Sequence, residues 1–158
     1  MIFSTVRSGD FTNFQRLRAV LCGALATITV AASAPAAAEI MIGRTLPLTG
    51  PFATYGTAKR DGADAYIARI NREGGVNGQQ IVVETLDDAY VVAKTVANLK
   101  QLAEQQRPVA FLGLFGVPNI AAAIPVISEL KIPTVGLTSG TAVLRANYNP
   151  YIFPVRAS

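Results

Sequence analysis

Five short apolar runs alternate with helix-like segments in this 158-residue chain, and this alternation limits the fold more than any other feature. The runs are rich in β-branched residues or bounded by glycine and proline, as strands are. They cover residues 39–46, 81–86, 109–115, 132–136 and 151–153. Between the first four runs, apolar residues recur at the spacing of amphipathic helices. A βαβαβαβ order with short connections predicts an α/β fold built on a doubly wound parallel sheet.

Glycine, proline and asparagine mark the expected ends of the helices. The first helix is predicted to begin at Thr57 and to end before Gly74-Gly75, because glycine tolerates the positive φ of a helix terminus. The third should begin with Asn119 as its N-cap. Pro125 lies inside the apolar pattern of that helix and predicts a later start or a kink.

The N-terminal segment has the layout of a secretory signal. Three arginines precede residues 19–38, an uncharged apolar stretch that ends in small alanines. This pattern predicts a signal peptide over residues 1–38 with cleavage after Ala38, and no stable membrane insertion after cleavage. A membrane anchor is the alternative, but the apolar centre is shorter than the ~20 residues that span a bilayer.

Composition excludes several classes of function for residues 39–158. The whole chain is 51% hydrophobic and 15% charged, which favours a buried core. Its net charge of +4 falls to +2 without residues 1–38, so nucleic-acid binding loses its main support. The remainder has no cysteine and no histidine, so thiol nucleophiles, imidazole bases and the usual zinc ligands are excluded. We expect no metal and no cofactor.

The loop after the first strand is the first candidate binding element. It begins with Thr49-Gly50-Pro51 and carries Tyr55, whose ring offers an aromatic face with a hydroxyl at the rim. In the alternative, Tyr55 only packs over the start of the helix. The loop matches neither a dinucleotide-binding nor a P-loop pattern.

The loop after the third strand is the second candidate. Val117, Pro118 and Asn119 lie where that strand gives way to a helix, and free backbone N–H groups at a helix start attract carboxylates. In the alternative, Asn119 caps its own helix and contacts no ligand.

The loop after the fourth strand is the third candidate. Thr138, Ser139, Gly140 and Thr141 place three hydroxyls around a glycine, a set that could orient a carboxylate. An ordinary hydroxyl-rich turn is the alternative. Since loops at the carboxyl ends of parallel strands meet at one edge, the three candidates are expected to converge.

Two adjacent carboxylates follow the second strand. Asp87 and Asp88 could in principle serve as the acid and base of an α/β enzyme, but no partner base or metal ligand is near them in the sequence. A role in a turn or at a helix start is therefore favoured over catalysis, and we predict that the chain is not an enzyme.

Taken together and in order, these motifs resemble the branched-chain amino-acid-binding proteins, the type I periplasmic solute-binding proteins of ABC importers. The resemblance covers residues 39–158. It is carried by Thr49-Gly50-Pro51, Tyr55-Gly56, Asp61-Gly62, Ile70-Asn71, Gly74-Gly75-Val76-Asn77-Gly78, Asp87-Asp88 and Tyr151-Ile152-Phe153.

The resemblance implies a periplasmic protein whose two lobes close over a ligand and deliver it to an ABC permease. Residues 39–158 resemble an incomplete N-terminal lobe that stops before the second lobe, so a truncated product without activity is an open alternative. The ligand contacts of the family's first lobe match Tyr55, residues 117–119 and residues 138–141. Val117 and its neighbours replace the serine usual in that loop, so the expected ligand widens from an amino acid to similar small carboxylates or amides.

Overall fold

A computed structural model describes residues 38–156. The predicted signal peptide lies outside these residues except for Ala38. None of the described helices combines the length and apolar character needed to cross a bilayer.

The described residues form a parallel sheet with helical crossovers, which confirms the predicted α/β doubly wound fold. A 3₁₀ turn at Ala142–Leu144 connects the last two strands. The other elements are β1 Ile40–Leu46, α1 Ala53–Arg72, β2 Ile81–Asp87, α2 Val92–Gln106, β3 Ala110–Leu112, α3 Val117–Leu130, β4 Thr134–Leu137 and β5 Ile152–Pro154.

The strand order explains where a ligand site can form. The five strands lie in the order β2-β1-β3-β4-β5, and all neighbours are parallel. Right-handed crossovers therefore place α1 on one face of the sheet and α2 and α3 on the other, where the latter two pack together. The chain changes direction between β1 and β3, which creates a crevice at the carboxyl ends of those strands.

The core lies between the sheet and the helix pair α2 and α3. Phe111 of β3 and Leu137 of β4 face Leu99, Ile120 and Ile127 of the two helices, and all five side chains are buried. Full burial of such a side chain contributes about 1.5–3 kcal/mol. This packing holds the ends of β3 and β4, and thus the loops that follow them, in fixed positions.

Two predicted helix starts were wrong. α1 begins at Ala53 rather than Thr57, so Tyr55 lies in the first helical turn. α3 begins at Val117 with Gly116 as its N-cap residue, so Asn119 is inside the helix and does not cap it. Pro118 occupies the first turn, where a missing backbone N–H costs no helical hydrogen bond.

Pro125 neither delays nor divides α3, because the helix runs without interruption from Val117 to Leu130. The flanking Ile120 and Ile127 are completely buried, and their packing outweighs the local preference of proline. The third strand is also shorter than predicted. Only Ala110–Leu112 joins the sheet, and Val109 is 59% exposed.

Candidate functional site

Four aromatic rings meet at the carboxyl end of the sheet, beside the crevice. Phe52 lies 4.2 Å from Tyr90 and 5.9 Å from Phe115, measured between ring centroids. Tyr55 stacks on Phe115 with centroids 5.8 Å apart and planes inclined by 16°. We call Phe52, Tyr55, Tyr90 and Phe115 the aromatic cluster; it joins the segments that follow β1, β2 and β3.

Tyr55 is the open member of the aromatic cluster. The residue is 62% exposed although its ring packs on Phe115, so one face of the ring remains free to contact a ligand. The next residue explains its position. A Cβ atom at Gly56 would lie 1.9 Å from the carbonyl oxygen of Pro47, so glycine allows α1 to begin directly against the loop after β1.

A groove of about 630 Å³ opens next to the aromatic cluster. Five of the eight predicted binding residues line it, namely Val117 and all four residues of the loop 138–141. The remaining lining residues are Tyr90, Phe115, Gly116 and Arg156. The structure therefore brings the second and third candidate loops together, as the sequence predicted, with Tyr55 adjoining them through Phe115.

Three predicted residues do not line this groove: Tyr55, which adjoins it through Phe115, and the neighbours Pro118 and Asn119. Pro118 is exposed but does not line it. Asn119 is completely buried, and its amide Nδ2 donates to Thr95 Oγ1 at 2.7 Å. The interpretation of Asn119 as a ligand contact is therefore corrected, since its side chain faces α2 rather than the groove.

The loop after β4 is partly pre-organised by its own hydrogen bonds. The backbone N–H of Thr138 donates to the carbonyl of Leu114 at 3.3 Å. The hydroxyl oxygen of Ser139 accepts from the N–H of Thr141 at 3.2 Å, although Ser139 is only 4% exposed. The hydroxyl hydrogen of Ser139 stays available as a donor.

Lys59 reaches the same loop from α1. Its Nζ donates to Thr138 Oγ1 at 2.5 Å, and burial lowers the pKa of its ammonium group to about 8. The sequence analysis did not single out Lys59. A signal existed, because Lys59 follows Tyr55 by four residues and therefore shares its helix face.

Asp87 connects the loop after β1 to the end of β2. Its Oδ1 accepts from the N–H groups of Leu48 and Ala89, both at 2.8 Å. Its Oδ2 accepts from the hydroxyl of Thr49 at 2.5 Å. Desolvation acts to raise the pKa of Asp87, but these hydrogen bonds outweigh it and hold the pKa below its ordinary value.

Asp88 is buried and stabilises the turn that contains Tyr90. Its Oδ2 accepts from Thr45 Oγ1 at 3.1 Å and from Thr95 Oγ1 at 2.9 Å, and its Oδ1 accepts from the N–H of Tyr90 at 2.9 Å. Tyr90 adopts φ +63° in this turn, and its ring occupies the space beside Gly116. Both carboxylates thus have a structural role, as the sequence favoured, and Tyr90 is a groove residue that sequence reasoning missed.

Within residues 38–156, no group of three or more histidine, cysteine or acidic side chains is arranged to hold a metal ion. The site instead combines aromatic faces, hydroxyls, backbone N–H groups and one part-buried ammonium. Such groups can bind and orient a small molecule.

The sequence model of a periplasmic binding protein family matches residues 39–158. The chain belongs to this family. A Leu/Ile/Val-binding protein homologue from Brucella melitensis is 31% identical over 114 residues, which cover 72% of this chain and 30% of that protein. The resemblance to branched-chain amino-acid-binding proteins is thereby confirmed.

Solved structures of the family share the fold. A substrate-binding periplasmic protein from Ralstonia solanacearum is 34% identical with a TM-score of 0.72, covering 76% of this chain and 34% of that one. A branched-chain amino acid transporter substrate-binding protein from Streptococcus pneumoniae, solved with isoleucine, is 26% identical with a TM-score of 0.69 and the same coverage. The chain thus spans about a third of the length of these relatives.

Proposed function

We propose that residues 39–158 form one wall of the ligand cleft of an extracytoplasmic solute-binding protein. The protein binds an amino acid or a similar small carboxylate or amide and delivers it to an ABC permease. The observation that carries this proposal is the groove between the aromatic cluster and the loop 138–141, at the switch point of the sheet. Isoleucine, the ligand bound in the Streptococcus pneumoniae structure, supports the ligand class.

Each part of the groove has a distinct role in the proposed binding. The free face of Tyr55 packs against the apolar part of the ligand. The hydroxyls of Thr138, Ser139 and Thr141 and the N–H groups at the start of α3 hold its polar end. No bond is made or broken, so the proposed protein is not an enzyme.

The proposed location and architecture follow from the family. Residues 1–38 act as a signal peptide and direct the chain to the periplasm. A second lobe of the kind implied by the longer relatives completes the cleft, because a single wall cannot enclose a ligand. The groove is open in the described lobe, which agrees with a cleft that closes around its ligand.

A thermal-shift screen tests the ligand class. Residues 39–158 are joined to the second lobe of the Ralstonia solanacearum neighbour and screened with amino acids, small carboxylates and amides. A true ligand at a hundred times its dissociation constant stabilises the protein by about 2.7 kcal/mol, which raises the melting temperature by several degrees. If no compound in these classes raises it, the proposed ligand class is wrong.

A matched pair of tyrosine variants tests the site in the same protein. Tyr55 and Tyr66 both lie on α1 and are 62% and 60% exposed, but only Tyr55 contacts the aromatic cluster. Tyr55→Ala is expected to remove most of the ligand-induced shift, whereas Tyr66→Ala should retain it. Equal loss in both variants would place the ligand elsewhere.

A further inference from the structure

The ammonium of Lys59 is a charge without a counter-ion in the described part of the chain. It is part-buried, and its one hydrogen-bond partner is the neutral hydroxyl of Thr138. The ion pairs found among residues 38–156 are Arg44 with Asp64, Arg60 with Asp61, and Arg69 with Glu73. Since removing a charge from water is costly unless an opposite charge compensates it, this arrangement favours an anion supplied from outside.

The groove beside Lys59 has the same sign of charge. Arg156 lines it, and no carboxylate does. The carboxylates of Asp87 and Asp88 already accept hydrogen bonds from other groups of the chain: Asp87 from Leu48 and Thr49 after β1, and Asp88 from Thr45 of β1 and Thr95 of α2. A groove with cations and no anion attracts a negatively charged ligand and disfavours a positive one.

Lys59 meets the groove at Thr138, which lines it. An ammonium has three N–H donors, and one of them points to Thr138 Oγ1. The hydroxyl of Thr138 lies within 3.3 Å of the carbonyl oxygen of Leu114, to which it can donate. Two donors of Lys59 therefore remain for a carboxylate bound next to Thr138, where a charge-assisted hydrogen bond is stronger than a neutral one.

We infer that Lys59 and Thr138 form an anion subsite of the groove, and that the ligand is a carboxylate with net negative charge rather than a zwitterionic amino acid. This inference rests on the proposed function and narrows its ligand class. In the competing interpretation, Lys59 only links α1 to the loop after β4 by its hydrogen bond, and the affinity for a ligand does not depend on the charge of that ligand.

Three probes with one carbon skeleton separate these interpretations. They are 4-methyl-2-oxopentanoate, an anion; leucine, a zwitterion; and 4-methylpentanamide, which is neutral. Each is titrated into the ¹⁵N-labelled full chain at neutral pH, and dissociation constants are taken from backbone amide shifts. The variants are Lys59→Met, which removes the charge, and Lys59→Arg, which keeps it. Lys100→Met on the exposed side of α2 is the matched control.

The inference expects the oxo acid to bind the parent chain more tightly than leucine or the amide. Lys59→Met should weaken oxo-acid binding by about tenfold or more, the effect typical of a lost hydrogen bond to a charged group. Lys59→Arg should retain most of the affinity, and amide binding should not change. Lys100→Met should behave like the parent chain.

Two outcomes overturn the inference, and they differ in what they say about the proposed function. If leucine or the amide binds as tightly as the oxo acid, or if Lys59→Met leaves oxo-acid affinity unchanged, the anion subsite is wrong while ligand binding by the groove stands. If none of the three probes binds the parent chain, the anion subsite is wrong, whereas the proposed ligand class is decided by the thermal-shift screen of the two-lobed protein.

Discussion

The two halves of the sheet edge use their polar groups in opposite ways. After β1 and β2, the carboxylates of Asp87 and Asp88 accept hydrogen bonds from neighbouring backbone and hydroxyl groups. After β3 and β4, the hydroxyls of residues 138–141 border an open groove, and the ammonium of Lys59 donates to Thr138 at that border. We infer that the first half is scaffold and that the second half is available to a ligand.

The difference shows why acidic residues are a poor guide to function in this chain. A carboxylate with several donors is already satisfied, and a ligand would have to displace those donors to reach it. The ammonium of Lys59 has donors to spare and lies beside a groove. If this contrast is correct, substitutions in the first half should change stability, and substitutions in the second half should change binding.

The largest effect is expected for Asp88→Ala. The change leaves the hydroxyls of Thr45 and Thr95 and the N–H of Tyr90 without their acceptor in a buried site. We expect the free energy of unfolding in urea to fall by about 3 kcal/mol. The control is Asp61→Ala, whose exposed carboxylate pairs only with Arg60 and which should change stability by less than about 0.5 kcal/mol. Similar losses in both variants would contradict the scaffold role of Asp88.

Gly116→Ala tests the border between the two halves. The residue has φ +87°, and a Cβ atom there would lie 2.3 Å from Cε2 of Tyr90. We expect a loss of about 2 kcal/mol from backbone strain and displacement of the Tyr90 ring. Gly62→Ala is the matched control, because nothing lies within 4 Å of its added Cβ and alanine favours the interior of α1. Gly62→Ala should be neutral or stabilising by up to about 1 kcal/mol. An equally mild effect of Gly116→Ala would show that the Tyr90 ring is not fixed beside Gly116.

A smaller effect, confined to low pH, is expected for Asp87→Asn. The pKa of Asp87 lies below its ordinary value of 3.8 in the folded chain, so the charged carboxylate stabilises the fold above that pH. This contribution is lost as the pH falls from 3.8 through the lowered pKa. The difference in unfolding free energy between the parent and the variant should therefore be constant near neutral pH and shrink in that acidic range. A difference that does not change with pH would contradict the hydrogen-bonded role of Asp87.

Much of the fold could be predicted from the sequence because its signals are local. The β-branched run at residues 81–86 and the apolar spacing of α2 correctly indicated a strand and a helix. The start of α1 could not be found in this way, because it depends on the close approach of Gly56 to Pro47, a contact between separate elements. Pro125 favoured a later start of α3, but the helix already begins at Val117 and continues through the proline.

The candidate site was only partly predictable for a related reason. The hydroxyl loop 138–141 follows directly after a strand, so its place at the edge of the sheet could be inferred from topology. The sequence analysis assigned Asn119 to the ligand site because it placed the start of α3 about one turn too late. In the structure Asn119 lies inside the helix, and its side chain is buried in the core. Tyr90 reaches the groove, and Lys59 reaches Thr138 at its border, through tertiary packing. A charged helix residue taken alone resembles a solvated one.

The most direct test of the second half concerns the ionisation of Lys59. Its pKa is lowered from 10.5 to about 8 in the folded chain, because the charged form is partly removed from water. The folded state therefore releases this proton at lower pH than the unfolded state, and stability should rise as the pH increases from about 8 towards 10.5.

Chain labelled with ¹³C at lysine Cε, with Lys59→Arg to assign the signal, measures this ionisation directly. We expect a titration midpoint near 8. Bound 4-methyl-2-oxopentanoate should raise the midpoint, because an adjacent anion favours the charged ammonium, and its affinity should fall as the pH passes 8. A midpoint at the ordinary 10.5 would mean that Lys59 is fully hydrated. In that case Lys59 would not present a partly desolvated charge to a ligand, and the two halves of the sheet edge would differ only in their carboxylates.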